Sequence, residues 1–162
     1  MSGIESAGLI TVCTFARSFN RFCATKAKDF VKDGVIESYA LSTYSARQLK
    51  METTGNAGGI HNLKVDTHAI DLPGLLKEMD TGLLVTELMG QGVNLLTGDY
   101  SRGAAGFWVE KGEIQFPVHE ITIAGNLQQM FAGITKIANN VDPKNSIRTG
   151  SILIDEMMIA GA

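Results

Sequence analysis

Two segments pair β-forming residues with a central turn that contains glycine, and this pattern constrains the fold more than any other feature. In GFWVEKGEIQF (residues 106–116), two apolar runs flank Lys111-Gly112. DFVKDGVIESYAL (residues 29–41) has the same form, with Asp33-Gly34 at the turn. Glycine supplies the positive φ that a tight turn requires, so the sequence predicts two β-hairpins. Trp108 is expected to be mostly buried, because a large aromatic side chain stabilises a fold most when it is removed from water.

Helical patterns are fewer than strand patterns. NLQQMFAGITKIANN (residues 126–140) places apolar residues on one stripe behind Asn126 as N-cap and predicts a helix. A shorter helix is predicted after Pro73 and another in TYSARQLKM (residues 43–51), whereas SILIDEMMIAG (residues 151–161) predicts a terminal strand. The elements do not alternate as βαβα. We therefore predict an α+β fold that is β-rich, with a mainly antiparallel sheet or barrel-like core and a few helices.

Composition excludes several classes of protein. The 162 residues are 44% hydrophobic and 19% charged, which is typical of one globular domain. A net charge of −3 argues against nucleic acid as a partner, and without an 18-residue apolar run we expect no membrane partner. Two cysteines, Cys13 and Cys23, are too few for a disulfide scaffold or a zinc knuckle, so a reducing cytoplasm is expected.

His119-Glu120 resembles the start of a zinc-peptidase helix. Such a helix needs a second histidine one turn later, but those positions hold Ile123 and Ala124. The surrounding β-branched residues favour a strand, on which His119, Ile121 and Ile123 would share one face. We predict no catalytic residue and no metal ligand here.

A second histidine pair lies in HNLKVDTH, where His61 and His68 flank Asp66. At a spacing of seven, the two imidazoles would face opposite sides of a strand, so a metal site would require a bend. The preceding TGNAGG (residues 54–59) could hold an anion with backbone N–H groups, but it lacks the lysine of a phosphate-binding loop. Hydrogen-bonded or surface histidines are the alternative interpretation.

GDYSRGAAG (residues 98–106) is predicted to be a polar loop before the aromatic strand. Its Arg102 could bind a carboxylate, such as a peptide terminus, through a bidentate pair. The alternative is a turn between Asp99 and Arg102 that only shapes the hairpin. Tyr100, Arg102 and His61 are our predicted substrate-binding residues.

Several long strings together resemble the PmbA (TldE) side of the TldD/PmbA family. They are YSARQL, TTGNAGGIHNL, TGLLVTELMGQGVN, TGDYSRGAAGFWVEKGEIQFPVHEITIAGNL and GSILIDEMMIAG. The resemblance begins near Ala24. It implies that residues 25–162 form the C-terminal domain of a longer type of protein, preceded by a poorly matching segment over residues 1–24.

The resemblance also implies a function. The TldD subunit of this family is a zinc peptidase, with HExxxH in the N-terminal domain and a cysteine ligand near its C-terminus. The corresponding end here, NSIRTGSILID, contains no cysteine. We therefore expect a non-catalytic domain without a cofactor of its own, which pairs with a zinc-bearing TldD-like subunit or with itself and helps to process unfolded peptides. Family substrates include a microcin precursor and an antitoxin.

Two other functions are compatible with the sequence. One is a regulatory binding protein without a role in proteolysis, in line with the family's early link to modulation of DNA gyrase. The other is a metal-dependent hydrolase that uses His61, Asp66 and His68.

Overall fold

The computed structural model describes residues 10–12, 26–60 and 62–161. Strands dominate these ranges and helices are short, so the predicted α+β class is confirmed. The helices are α1 (Thr43–Gln48), α2 (Leu72–Met79) and α3 (Leu127–Ala132). The strands are β1 (Ile10–Val12), β2 (Lys28–Lys32), β3 (Val35–Ile36), β4 (Leu63–Val65), β5 (Gly82–Met89), β6 (Asp99–Glu110), β7 (Glu113–Asn126), β8 (Ile134–Ile137), β9 (Ile147–Arg148), β10 (Ile152–Ile154) and β11 (Met158–Ala160).

The strands form three sheets distributed over two compact units. One unit comprises residues 1–67 and 140–150, and its sheet has the order β3-β2-β1-β4-β9. The other comprises residues 68–139 and 151–162, with a four-stranded sheet β11-β7-β6-β5 and the pair β10-β8. Among the described strands only β4 and β9 pair in parallel, so the predicted antiparallel preference is confirmed. No sheet closes on itself within the described ranges.

Both predicted hairpins are present. Asp33 and Gly34 have φ of 50° and 77°, and Lys111 and Gly112 have φ of 55° and 73°. Two successive positive φ values define the primed turn that matches the twist of the flanking strands. The second turn also contacts the C-terminal end of α2, because Gly112 N–H donates to the backbone O of the C-cap residue Asp80 at 2.8 Å.

Trp108 is mostly but not fully buried. Its indole N–H donates to Glu110 Oε1 at 3.0 Å, so the polar edge of the ring faces an exposed carboxylate of its own strand. The expectation of a mostly buried side chain is confirmed, although burial is not complete. In contrast, Val109 beside it is fully buried.

The helix predicted over residues 126–140 is too long. Asn126 is the N-cap as expected, and its side chain accepts from Gln128 N–H, but α3 ends at Ala132 with Gly133 as C-cap. Residues Ile134–Ile137 form β8, which pairs with β10. Isoleucine and threonine fit a strand well, and long-range pairing outweighed the helical spacing of the apolar residues.

The two shorter helices are confirmed. Ser42 caps α1 through a reciprocal bond with Ser45, and α2 begins after Asp71, whose Oδ1 accepts Gly74 N–H at 2.8 Å. Pro73 lies in the first turn of α2. Backbone N–H groups in a first turn have no acceptor within the helix, so proline, which lacks the N–H, costs no hydrogen bond there.

The terminal strand predicted over residues 151–161 is two strands. Ile152–Ile154 pairs with β8, and Met158–Ala160 pairs with β7 in a different sheet. Asp155 N–H donates to Gly133 O at 2.9 Å just after β10. The chain therefore changes sheets between residues 154 and 158, which alternation of apolar residues alone does not reveal.

A bulge in β7 changes which side chains face the core. Ala104, Ile121 and Ile123 form the buried cluster of this sheet, and Val118 packs against them. Glu120 has a φ of 56°, and the register with β6 shifts beside it. Val118 rather than His119 therefore shares the core face with Ile121, and His119 is exposed. The predicted common face of His119 and Ile121 is wrong for this reason.

No helix within the described residues is long and apolar enough to cross a membrane.

Candidate functional site

Arg102 is the most unusual polar side chain in the described part of the chain. It is half-buried on β6, and its buried Nε has no hydrogen-bond partner. Its Nη2 reaches only Leu88 O, at 3.5 Å. The ion pairs found among the described residues join Lys64 to Asp66 and Lys136 to Glu78, so Arg102 belongs to neither.

The predicted loop around Arg102 is a strand. Residues Asp99–Glu110 pair with β7 along their length, so the glycine and alanine run after Arg102 lies inside a sheet. Asp99 Oδ2 accepts from Thr97 Oγ1 at 2.6 Å, and Asp99 makes no ion pair with Arg102. The alternative of a turn held by Asp99 and Arg102 is therefore wrong, because residues three apart on a strand point to opposite faces.

An open groove of about 430 Å³ lies beside Arg102. Its other lining residues come from the β5–β6 connection, and they are Gly90, Gln91, Val93 and Leu95. Backbone bonds hold this connection against β6, since Ser101 N–H donates to Gly92 O at 2.7 Å. A Cβ on Gly92 would lie 1.7 Å from Ser101 O, so only glycine allows this close approach.

The tip of the connection exposes two leucines. Leu95 and Leu96 are 85% and 98% exposed. Asn94 orders this tip, because its Oδ1 accepts from the N–H groups of Leu96 and Thr97 at 3.0 and 3.3 Å. The tip thus displays apolar side chains from an ordered backbone.

Tyr100 occupies a different environment from Arg102, although the two residues share β6. Its half-buried side chain packs against Ala104, Ile121 and Ile123, and it lines a second, larger cavity. His61 lies outside the described residues. The structure therefore does not bring Tyr100 and Arg102 into one cavity, and the role of His61 stays a prediction.

The larger cavity was not anticipated from the sequence. It has a volume of about 530 Å³ and is mainly apolar. Helices α2 and α3, β5 and the β10–β11 region contribute to its lining, with Leu75, Leu83, Val85, Met130 and Met157 among the side chains. The signal in the sequence was the number of leucines and methionines in these segments, but they converge only after the chain has folded.

β5 is a terminal strand of the four-stranded sheet and also lines this cavity. A terminal strand carries backbone N–H and C=O groups that its sheet does not pair, and these can accept a further extended chain. Unit 68–139 plus 151–162 thus combines a sheet edge with apolar space for side chains.

The residues weighed as metal ligands take structural positions where they are described. His68 Nδ1 accepts Ile137 N–H at 3.1 Å, while His68 N–H donates to Ile137 O at 2.8 Å. His119 lies on β7 rather than on a helix. The part of the chain that the structure describes contains no group of three or more His, Cys, Asp or Glu side chains that could hold a metal ion. Cys13 and Cys23 lie outside it, as does His61.

The segment TGNAGG forms a structured turn region around a lysine. Buried Asn56 accepts Lys28 Nζ at 3.0 Å through its Oδ1, and Lys28 also donates to Tyr39 O at 3.3 Å. Burial lowers the pKa of the Lys28 ammonium from its ordinary value of 10.5. The lysine thus contacts neutral oxygens from within the chain.

The class that these features define is a β-rich α+β domain with an open sheet edge, an apolar cavity and an unpaired arginine. Residues 23–161 match the family of the PmbA/TldA metallopeptidase C-terminal domain, and the chain belongs to this family.

Curated relatives support the assignment. The chain is 55% identical over 137 residues to Metalloprotease PmbA of Escherichia coli O157:H7, which covers 85% of this chain and 30% of that protein. It is 52% identical over 138 residues to the Metalloprotease PmbA homolog of Haemophilus influenzae, covering 85% and 31%. The chain therefore spans about a third of the length of the curated relatives it matches.

Solved structures share the fold. A proposed modulator of a DNA gyrase from Thermotoga maritima has a TM-score of 0.81 and 32% identity, covering 95% of this chain and 39% of that one. TldE from Thermococcus kodakarensis has a TM-score of 0.76 at 24% identity, again covering 95% and 39%, and this likeness concerns the fold alone.

Proposed function

We propose that this chain acts as the non-catalytic C-terminal domain of a PmbA-like (TldE-like) subunit in a cytoplasmic zinc metalloprotease complex. A TldD-like partner subunit would carry the zinc and cleave the peptide bond. This domain would help to hold unfolded peptides, of which a microcin precursor or an antitoxin are examples.

The observation that carries the proposal is the combination of the β5 edge with the apolar cavity that β5 lines. An unfolded peptide is extended and exposes both backbone groups and apolar side chains. Pairing along β5 would bind its backbone irrespective of sequence, and Leu83, Val85 and their neighbours would contact its apolar side chains. Such recognition suits a protease complex that acts on many unfolded substrates.

The metal chemistry is assigned to the partner on the basis of side chains in this chain. A catalytic zinc needs about three protein ligands and one open position. His68 already uses Nδ1 for the Ile137 N–H, and the strand geometry of His119-Glu120 does not place a second ligand one helical turn away. These observations also disfavour the metal-dependent hydrolase considered from the sequence.

Reconstitution tests the proposal. The purified chain should contain substoichiometric zinc by elemental analysis and should show no chelator-sensitive hydrolysis of a fluorogenic unfolded peptide. A purified TldD-like subunit should bind the PmbA-like protein and cleave that peptide, with the chain assayed both alone and joined to the N-terminal part of its relatives. One tightly bound zinc per chain, lost together with peptidase activity on mutation of His61 or His119, would refute the proposal.

A peptide with N-methylated backbone amides tests the role of the β5 edge. N-methylation removes N–H donors without removing side chains, so we expect at least tenfold weaker binding than for the unmethylated peptide of the same sequence. Equal affinity of the two peptides would exclude strand pairing as the mode of recognition.

A second candidate function is regulation of DNA gyrase without proteolysis. It is favoured by the description of the Thermotoga maritima relative as a proposed modulator of a DNA gyrase. Copurification from cells separates the two candidates, because a zinc-bearing TldD-like subunit supports the protease complex and gyrase subunits support the modulator.

A further inference from the structure

The open groove beside Arg102 combines a guanidinium group with apolar lining residues. We propose that it binds the C-terminal carboxylate of an extended peptide whose last residue is apolar. This inference rests on the proposed function, and it specifies which end of an unfolded peptide this domain holds.

The guanidinium group of Arg102 is poorly partnered within the described residues. It brings a positive charge into a half-buried position. Buried polar atoms in folded proteins normally have hydrogen-bond partners, yet Nε of Arg102 has none. Neither ion pair of the described residues includes it. A ligand carboxylate would supply both the missing acceptor and the missing charge.

The groove wall is partly apolar. Val93 and Leu95 line the groove together with Arg102 and Gln91. An inorganic anion would leave these apolar side chains in water. A terminal carboxylate attached to an apolar residue would satisfy Arg102 and cover Val93 and Leu95 at the same time, while the Gln91 amide offers a further donor.

The groove lies directly after β5 in the chain. β5 ends at Met89, and Gly90 and Gln91 of the groove follow directly. A peptide paired in parallel with the edge of β5 would therefore reach the groove with its C-terminal end. Internal carboxylates of Asp or Glu would require the peptide to continue past the connection between β5 and β6.

Backbone hydrogen bonds hold the β5–β6 connection in place without a ligand. An isolated bridge joins Val93 to Tyr100, and Asn94 N–H donates to Asp99 O at 2.8 Å. Gly98 N–H donates to Asn94 O at 2.8 Å, which closes the tip of the connection. A preordered site loses little conformational freedom on binding, so even a short peptide can be used as a probe.

Three short peptides test the inference on the wild-type chain. They are N-acetyl-Ala-Val-Leu with a free carboxylate, its C-terminal amide, and N-acetyl-Ala-Glu-Leu-amide, which carries only a side-chain carboxylate. The readout is the ¹⁵N–¹H resonance of Arg102 Nε in a titration of the labelled chain. We expect the free acid to shift this resonance and to bind at least tenfold more tightly than either amide.

Two variants extend the test. Arg102→Gln should reduce the affinity for the free acid to that for the amide, whereas Arg148→Gln, on the exposed strand β9, should leave the preference unchanged. Because the comparison of acid with amide is made on the wild-type chain, it decides the question even if Arg102→Gln does not fold. Equal binding of acid and amide would overturn the inference. Tight binding of the glutamate peptide would overturn its assignment to a peptide C-terminus.

The peptide-binding test and the reconstitution with a TldD-like subunit can fail independently of each other. A PmbA-like protein that supports hydrolysis with a TldD-like subunit but shows no preference for the free acid refutes only the carboxylate site. A chain that prefers the free acid but never associates with a zinc-bearing subunit refutes only the protease complex.

Discussion

The two hairpins of this chain have the same turn chemistry and very different extents. Asp33-Gly34 and Lys111-Gly112 both adopt two successive positive φ values. The first turn joins a five-residue strand to a two-residue strand, whereas the second joins strands of twelve and fourteen residues. Turn residues therefore fix where a chain reverses, but they do not fix how far the strands pair.

Burial explains the difference in length. Just after the first turn, Val35 and Ile36 are 59% and 65% exposed, so little apolar surface is gained by continuing the ladder. In the second hairpin, Val109 is fully buried, and Ala104 and Ile121 form part of a core cluster. Burial of apolar surface supplies most of the free energy that extends a sheet.

The largest loss of stability is expected on substitution of Gly106, where β5 pairs with the second hairpin. A Cβ there would lie 2.0 Å from Leu84 O, which is backbone and has little room to move. Gly106→Ala should lower the free energy of unfolding by more than about 3 kcal/mol, because the strand must shift. Gly103→Ala on the same strand is the control, since its Cβ would meet Met89 at an ordinary 3.4 Å, and it should cost less than about 1 kcal/mol. Similar urea midpoints for the two variants would contradict the close approach.

The two turn glycines give the next largest contrast. In both hairpins alanine would be placed at positive φ, at a cost of about 1–2 kcal/mol. At Gly112 the new Cβ would also meet α2, at 2.7 Å from Lys77 Cα. Gly112→Ala should therefore cost about 2–4 kcal/mol and Gly34→Ala about 1–2 kcal/mol, as measured by chemical denaturation. Equal losses would mean that the second turn gains nothing from its contact with α2.

Two valines provide a matched pair for burial. Val109→Ala should cost about 2 kcal/mol, because a fully buried side chain loses its packing and leaves a cavity. Val35→Ala should cost less than about 0.5 kcal/mol, since the side chain is already largely in water. Thermal unfolding of both variants measures the contrast, and a larger loss at Val35 would reverse our interpretation of the two hairpins.

The smallest expected effect concerns Lys28 on the first hairpin. Because burial lowers the pKa of its ammonium in the folded chain, the folded state releases the proton at a lower pH than the unfolded state does. The cost of the buried charge is then present at neutral pH and decreases as pH rises from the lowered pKa towards 10.5. Wild-type stability relative to Lys28→Gln should therefore rise with pH in that window, as followed by urea unfolding. Lys32→Gln, which replaces an exposed lysine of the same strand, controls for the loss of one positive charge. Parallel curves of unfolding free energy against pH for wild type and Lys28→Gln would contradict the lowered pKa of Lys28.

The sequence by itself determined the local features. Turn positions followed from Asp33-Gly34 and Lys111-Gly112, and helix starts followed from Asn126 as N-cap and from Pro73 in a first turn. These signals are short-range, because a positive φ or a capping side chain acts within a few residues. Family membership was also readable from the sequence, since the matching strings are long and specific.

Tertiary structure decided what local signals leave open. Ile134–Ile137 has helical spacing but became a strand, because β10 offered it a partner. The bulge at Glu120 placed Val118 rather than His119 on the core face, and pairing with β7 made the polar loop around Arg102 part of β6.

The sequence predicted part of the candidate site, and the tertiary structure decided the rest. The sequence indicated that Arg102 could bind a carboxylate. Only the fold shows that its Nε is buried without an acceptor and that Val93 and Leu95 line the adjoining groove. Tyr100 lies two residues away yet lines another cavity, because that cavity depends on α2 and β10, which are distant in sequence. Residue types thus determined which chemistry was available. Long-range packing decided which side chains meet, because burial depends on segments that no local pattern connects.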